Sequence, residues 1–132
     1  MSRNILFLCP HNAAKSVIAS SLFQKLSDER GLDIKSTSAG TEPSPEVPLS
    51  VINLLKIENI DVSEHKPRAV TINDLSRAWR VITFGLSLGE LSKYVTSQIE
   101  CWDDVPPANQ DPIASKNAIM KHMERLLSQI ES

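Results

Sequence analysis

The sequence contains no apolar run approaching the roughly 20 residues that a membrane-spanning helix needs. It also lacks an excess of charge of either sign: 14 Lys and Arg stand against 16 Asp and Glu, for a net charge of -2. The first absence argues against a membrane-spanning helix. The second leaves no basic stripe for nucleic acid, and the pI near 5.9 points the same way. Cysteine is scarce, with Cys9 and Cys101 alone. No disulfide framework is possible, and in a reducing cytosol such thiols stay free for catalysis or packing. The three histidines show no metal-ligand spacing, and His65 and His122 stand isolated. No metal and no cofactor is expected. There is no internal repeat and no low-complexity segment. The apolar run that ends at Cys9 is too short for a signal-peptide core with its cleavage site, so a cytoplasmic protein is expected. At 132 residues and 41% hydrophobic content, a single domain over 1–132 with a substantial core is expected.

What is present is an alternation of short apolar runs and helical patterns. Asn4 to Leu8 is almost wholly apolar, as in the buried centre of a parallel sheet. Ser16 to Glu29 predicts a helix with Ile18, Leu22, Phe23 and Leu26 on one face, closed by Gly31 in a left-handed conformation. Asp33 to Ala39 predicts a second strand ending at Gly40. The proline-rich segment Thr41 to Pro48 is a loop, and a helix follows from Leu49 to Glu58 with Val51, Leu54 and Leu55 inward. Asn59 takes the left-handed turn after it. Ser63 to Val70 reads as irregular, and Asn73 to Ala78 as a short helix capped by Asn73. Strands are expected at Arg80 to Phe84 and Gln98 to Trp102, with a helical stretch at Ser87 to Val95 between them. Asp103 to Pro112 is a loop. Ser115 to Ile130 carries the clearest helical pattern, through Ile119, Met123, Leu126, Leu127 and Ile130.

This order predicts a three-layer α/β/α sandwich around a four-stranded parallel sheet. Ligands in such sheets bind beyond the carboxyl ends of the strands. Cys9, the loop after Gly40 and the loop Asp103 to Pro112 all lie at such ends. Cys9 is followed by Pro10-His11-Asn12-Ala13-Ala14-Lys15-Ser16 and then a helix. A loop of this kind converges its backbone N–H groups on one point, and the helix adds the positive end of its dipole. The same field favours the thiolate, the nucleophilic form of cysteine.

The strand Ile5-Leu6-Phe7-Leu8, Cys9, Asn12 and Lys15-Ser16 resemble the low-molecular-weight protein tyrosine phosphatases and the thiol-dependent arsenate reductases that share their fold. The likeness continues through Ser38-Ala39-Gly40-Thr41, Asn59-Ile60-Asp61-Val62-Ser63-Glu64-His65, Val81-Ile82-Thr83 and Asp111-Pro112. The resemblance implies that Cys9 attacks phosphorus or arsenic, and that the loop from Pro10 to Lys15 binds the oxyanion through its N–H groups. It implies that Ser16 hydrogen-bonds the Cys9 thiolate, that Asn12 holds the loop, and that Asp111 protonates the leaving oxygen. Asp103 and Asp104 are rivals for that last role. His11 sits inside the loop, where it adds positive charge to the site when protonated.

Three features depart from the family pattern. Lys15 stands where the family has arginine, a point charge in place of a planar fork. No cysteine follows the third strand in Thr83-Phe84-Gly85-Leu86-Ser87, so arsenate reduction here would need an external thiol. No aromatic residue adjoins Asp111-Pro112, and Trp79 and Trp102 are assigned to the core. The expected partner is a phosphorylated substrate or an inorganic oxyanion such as phosphate or arsenate. The first expectation is a cysteine-dependent phosphatase acting through a phosphocysteine. The alternatives are arsenate reduction with an external thiol and a weakly catalytic module that binds oxyanions or phosphoproteins. Cys101 is expected in a buried strand.

Overall fold

A computed structural model describes residues 3–131. Strands β1 (Arg3–Cys9), β2 (Ile34–Gly40), β3 (Arg80–Thr83) and β4 (Gln98–Cys101) form one sheet in the order β2-β1-β3-β4. All three pairings are parallel. Helices α1 (Lys15–Glu29), α2 (Leu49–Ile57), α3 (Ile72–Arg77) and α4 (Pro112–Glu131) and a 3-10 helix at Gly89–Tyr94 make up the other layers.

The alternation of side chains along β1 divides the core in two. Ile5, Phe7 and Cys9 belong to the large cluster with α1, α2 and α4. Leu6 and Leu8 belong to the small one with Leu75, Ala78, Val81 and Leu88. The expected sandwich is therefore present, with one thick helical layer and one thin one. Phe7 is its aromatic centre, with Phe23, Phe84 and Trp102 ring centroids 5.9 to 6.4 Å away. Trp102 is buried as expected. Trp79 is only half-buried, held between the guanidinium groups of Arg3 and Arg80.

Helix ends follow the local chemistry. Gly31, at φ 66°, and Asn59, at φ 62°, close α1 and α2. At each, the following N–H returns to the helix: Leu32 to the Ser27 carbonyl and Ile60 to the Leu55 carbonyl, both at 2.9 Å. The short helix starts earlier than the sequence suggested. Thr71, rather than Asn73, caps it, and Thr71 and Asp74 complete a reciprocal capping box. Cys101 is exposed on the edge strand, because β4 has a neighbour on one side only and no helix layer covers it.

Asp74 also receives both terminal nitrogens of Arg68, at 2.8 and 3.2 Å. Burial disfavours its charge, but the hydrogen bonds from Arg68 and Thr71 outweigh that and hold its carboxyl below the ordinary range. A lowered folded pKa gives stability above the unfolded value that is lost as the pH falls through the folded one. Asp74→Asn is therefore expected to cost about 1 kcal/mol at neutral pH, as a partly exposed pair and cap should. The difference from wild type should close below about pH 4. Chemical denaturation at several pH values checks this.

Candidate active site

The sheet order places β2 and β3 on opposite sides of β1, so the chain reverses its direction of travel at the carboxyl end of β1. Such a switch point opens a crevice. Cys9 ends β1 there, buried at 5% exposure. The loop that follows is held by a chain of hydrogen bonds. The Arg68 peptide N–H donates to Asn12 Oδ1 at 3.0 Å, which fixes the amide. Asn12 Nδ2 then donates to Ser16 Oγ at 3.0 Å. Since that oxygen accepts from Asn12, the Ser16 hydroxyl proton is free to point at Cys9 Sγ, 3.0 Å away. The chain thus delivers a hydrogen-bond donor to the sulfur.

Asn12 is fully buried at φ 48°, a left-handed conformation that asparagine tolerates. Among the described residues, none of the N–H groups from His11 to Ser16 has an acceptor in the protein. Helix α1 adds no side-chain cap and no acidic residue in its first turn to satisfy them. These donors are free and lie at the N-terminus of α1, where a helix dipole favours negative charge. Pro10 has no N–H, so the donors begin at His11 rather than at Pro10. Pro10 contributes its carbonyl, which accepts the Glu42 N–H at 2.7 Å. The His11 carbonyl accepts from Ser44 at 2.9 Å, and its ring Nδ1 meets the Glu42 carbonyl at 3.0 Å. A carbonyl only accepts, so Nδ1 carries a proton.

The loop opens into a cavity of about 380 Å³. Cys9, Pro10, His11, Ala13, Ala14 and Lys15 line its base. Phe84 and Gly85 after β3, Ser44 and Pro48 after β2, and Pro107 to Asn109 before α4 form its walls. Three distant loops meet there, as the sheet pattern predicted. Asn12 and Ser16 stand behind the lining. Lys15 is half-buried and makes no ion pair among the described residues, so its ammonium is available to an anion.

Asp111, the acid expected from the Asp-Pro pair, is not among the residues that line this cavity, though Asn109 of the same loop is. Asp111 is exposed, and its carboxylate accepts the Ala114 N–H at 3.0 Å, with Pro112 as the first residue of α4. It is an N-cap followed by the proline that suits the first helical position. Of its two rivals, Asp103 accepts the N–H of Gly85, a lining residue, at 2.8 Å, and Asp104 pairs with His122 at 2.6 Å. The His122 hydrogen bond holds the Asp104 carboxyl below its ordinary range. His122, read as isolated, also stacks on Trp102 with ring centroids 4.7 Å apart. Asp111→Ala should therefore lower stability by about 1 kcal/mol, as loss of a cap does. If its second oxygen also serves as the acid, the rate falls by about 10²-fold or more as well, and a matched pair of melting curve and rate measurement checks both.

Two supports were invisible in the sequence. The Arg68 peptide N–H carries no sequence signature, since any residue but proline has one. The tightness of Gly40 against the loop is likewise a property of strand register: Cys9 and Gly40 are paired at the ends of β1 and β2.

The sequence model of the low molecular weight phosphotyrosine protein phosphatases matches residues 4–101. The chain belongs to this family. The match covers the loop and both flanking strands and stops before the segment that carries Asp103, Asp104 and Asp111. A Halobacterium salinarum protein named "Putative arsenate reductase" is 28% identical over 107 residues, covering 80% of this chain and 75% of that protein. Among solved structures, YfkJ from Bacillus subtilis superposes with a TM-score of 0.84 at 22% identity, covering 99% and 96% of the two chains. An arsenate reductase in a phosphate-binding state gives 0.79 at 21% identity, covering 97% and 98%. At such identities the superpositions establish the shared fold. The family fold thus accounts for the sheet and for the position of the loop between Cys9 and α1, with lysine at position 15.

Proposed function

We propose that the chain is a cysteine-dependent phosphatase in which the Cys9 thiolate attacks phosphorus and forms a phosphocysteine that water hydrolyses. The observation that carries this reading is the Arg68–Asn12–Ser16–Cys9 chain beneath a nest of free N–H groups. Such donors bind the developing charge of a transferring phosphoryl group without reorganising. Among the described residues that line the cavity, Lys15 supplies the one permanent positive charge. Rapid acid quench of the enzyme with p-nitrophenyl phosphate, followed by peptide mass analysis, should show phosphate on Cys9. Turnover with no Cys9 adduct at any quench time would reject the phosphocysteine.

Lysine meets one oxygen where arginine spans two. Lys15→Arg is expected to raise kcat/KM by roughly tenfold to a hundredfold, a fraction of what a well-placed oxyanion donor is worth. Phosphate affinity should rise as well. Tighter phosphate binding with no turnover in either form would favour the binding-module reading instead.

Arsenate reduction is the second reading, supported by the absence of a carboxylate from the cavity lining among the described residues. Arsenate brings its own protons, so an oxygen can leave as water without a protein acid. Cys9 would form a thiol–arsenate bond. An external thiol would then attack the Cys9 sulfur, releasing arsenite as arsenic(V) gains the electron pair and the two sulfurs join in a disulfide. A second external thiol restores Cys9. Arsenate-dependent oxidation of glutathione, with or without a glutaredoxin, tests it.

A further inference from the structure

We infer that the carboxyl end of β4 carries a second site, at which Cys101 takes a small thiol bearing an ammonium group as a mixed disulfide, seated against Thr83 and Asp103. A free cysteine alone would be no site. Here a cavity of about 430 Å³ opens beside it, with Thr83, Leu88, Ser92, Ile99, Cys101 and Asp103 in its lining. Cys101 is exposed and free. It pairs with Thr83 across the parallel ladder of β3 and β4, so both side chains leave the same face of the sheet.

Thr83 points to an occupant. It is 1% exposed, and its Oγ1 has no hydrogen-bond partner among the described residues. A buried hydroxyl left unpaired is costly, and a polar group bound beside it recovers that cost. Neighbouring strands lie about 4.8 Å apart, so atoms attached to Cys101 Sγ come within hydrogen-bonding reach of that hydroxyl. Asp103 sets the charge of the occupant. One of its oxygens accepts the Gly85 N–H at 2.8 Å, and a carboxylate has room for further donors. Among the described residues, no cationic side chain lines the cavity, so an ammonium group is favoured there over a carboxylate.

This cavity and the one at Cys9 share no lining residue. Cys9 packs with Phe7 in the large cluster, whereas Thr83 is paired with Leu8 of the small one. The two thiols therefore lie on opposite faces of the sheet. The step at Cys101 is a thiol–disulfide exchange. Cys101 gives its proton to solvent, and its thiolate attacks one sulfur of a small symmetric disulfide. The new S–S bond forms as the old one breaks, and the departing sulfur keeps the electron pair and takes up a proton. One disulfide is consumed and one is made, so no further oxidant is required.

The test equilibrates the full chain with fixed ratios of cysteamine to cystamine. A parallel series uses 3-mercaptopropionate and its disulfide, which carry a carboxylate in place of the ammonium. Peptide mass mapping reads the adduct on Cys101 apart from any on Cys9, and the chain unfolded in urea supplies the reference equilibrium. The folded protein is expected to favour the cysteamine adduct by roughly fivefold to tenfold beyond the preference of the unfolded chain, the worth of one hydrogen bond to a charged group. Asp103→Asn, which can still accept the Gly85 N–H, should remove most of that preference. Thr83→Val, a change of the same shape, should keep the fold and lower both adducts about fivefold, the worth of one neutral hydrogen bond. An adduct equilibrium on Cys101 equal to that of the unfolded chain, or moved less than twofold by both substitutions, would overturn the inference: Cys101 would then be an exposed thiol without a site.

Discussion

Cys9→Ser is expected to abolish turnover, by about 10³-fold or more, while phosphate binding survives. The serine hydroxyl occupies nearly the same place, so the N–H groups of His11 to Ser16 keep their arrangement. What changes is the nucleophile. A thiol ionises within reach of neutral pH, and a single hydroxyl donor from Ser16 at 3.0 Å supports the anion. A serine hydroxyl ionises far above neutrality, and among the described residues the one hydrogen-bond partner of the position-9 side chain is the Ser16 hydroxyl, which is no base. Isothermal titration with inorganic phosphate and a rate assay on 4-nitrophenyl phosphate separate the two effects. Equal rates for the variant and wild type would sink the assignment of Cys9. Loss of phosphate binding with the rate would mean that the substitution disturbed the loop.

Gly40→Ala is expected to damage both stability and activity. A Cβ at that position would lie 2.6 Å from the Pro10 carbonyl oxygen and 2.9 Å from both the Cys9 carbonyl oxygen and the Asn12 nitrogen. All three are backbone atoms, so no side-chain rotation relieves the clash. The end of β2 and the phosphate loop must separate. That movement strains the Gly40–Arg68 and Val70–Gly40 hydrogen bonds, both 2.9 Å, and with them the Arg68 N–H that holds Asn12. Overpacking of this kind costs about 1–3 kcal/mol. In a chain of this size the melting temperature should drop by roughly 4–10 °C.

A shift of about 1 Å in a reacting group can cost about 10²-fold in rate. Gly31→Ala provides the comparison. Nothing lies within 4 Å of its added Cβ, and the cost is the strain of φ 66° alone, about 1–2 kcal/mol. It should lower the melting temperature and leave kcat/KM untouched. If Gly40→Ala also kept full activity, the loop would not depend on the β2 end for its shape.

The features legible in the sequence were those whose cause is local. The apolar run before Cys9 could only be a buried strand, and it is. The period of Ile119, Met123, Leu126 and Leu127 marked the buried face of α4, and all four are buried. Gly31 and Asn59 were readable as left-handed turns because few other residues tolerate that backbone. Cys9, Asn12, Lys15 and Ser16 were readable as one unit because a strand, a short loop and a helix fix their spacing.

The errors arose where partners come from far along the chain or where several local solutions compete. Thr71 and Asn73 are both good caps, and Asp74 decided for Thr71 by answering its N–H at 2.8 Å. Cys101 sits in an apparent strand, but exposure depends on sheet order, which only β4's position at the edge supplies. Asp111-Pro112 carries the same letters whether it serves a reaction or starts a helix. In this structure one of its oxygens accepts the Ala114 N–H at 3.0 Å, a contact compatible with either use.

The sequence by itself determined the sheet and the loop between Cys9 and α1, because periodicity, backbone conformation and helix dipoles act over a few residues. Only the tertiary structure decided what surrounds the sulfur. The hydrogen-bond chain that orients the Ser16 hydroxyl toward Cys9 starts from the peptide N–H of Arg68, 56 residues from Asn12, and Phe84 and Pro107 to Asn109 stand across the cavity. Such contacts depend on how strands register and helices dock. One residue of slip would break them without changing the pattern of the sequence.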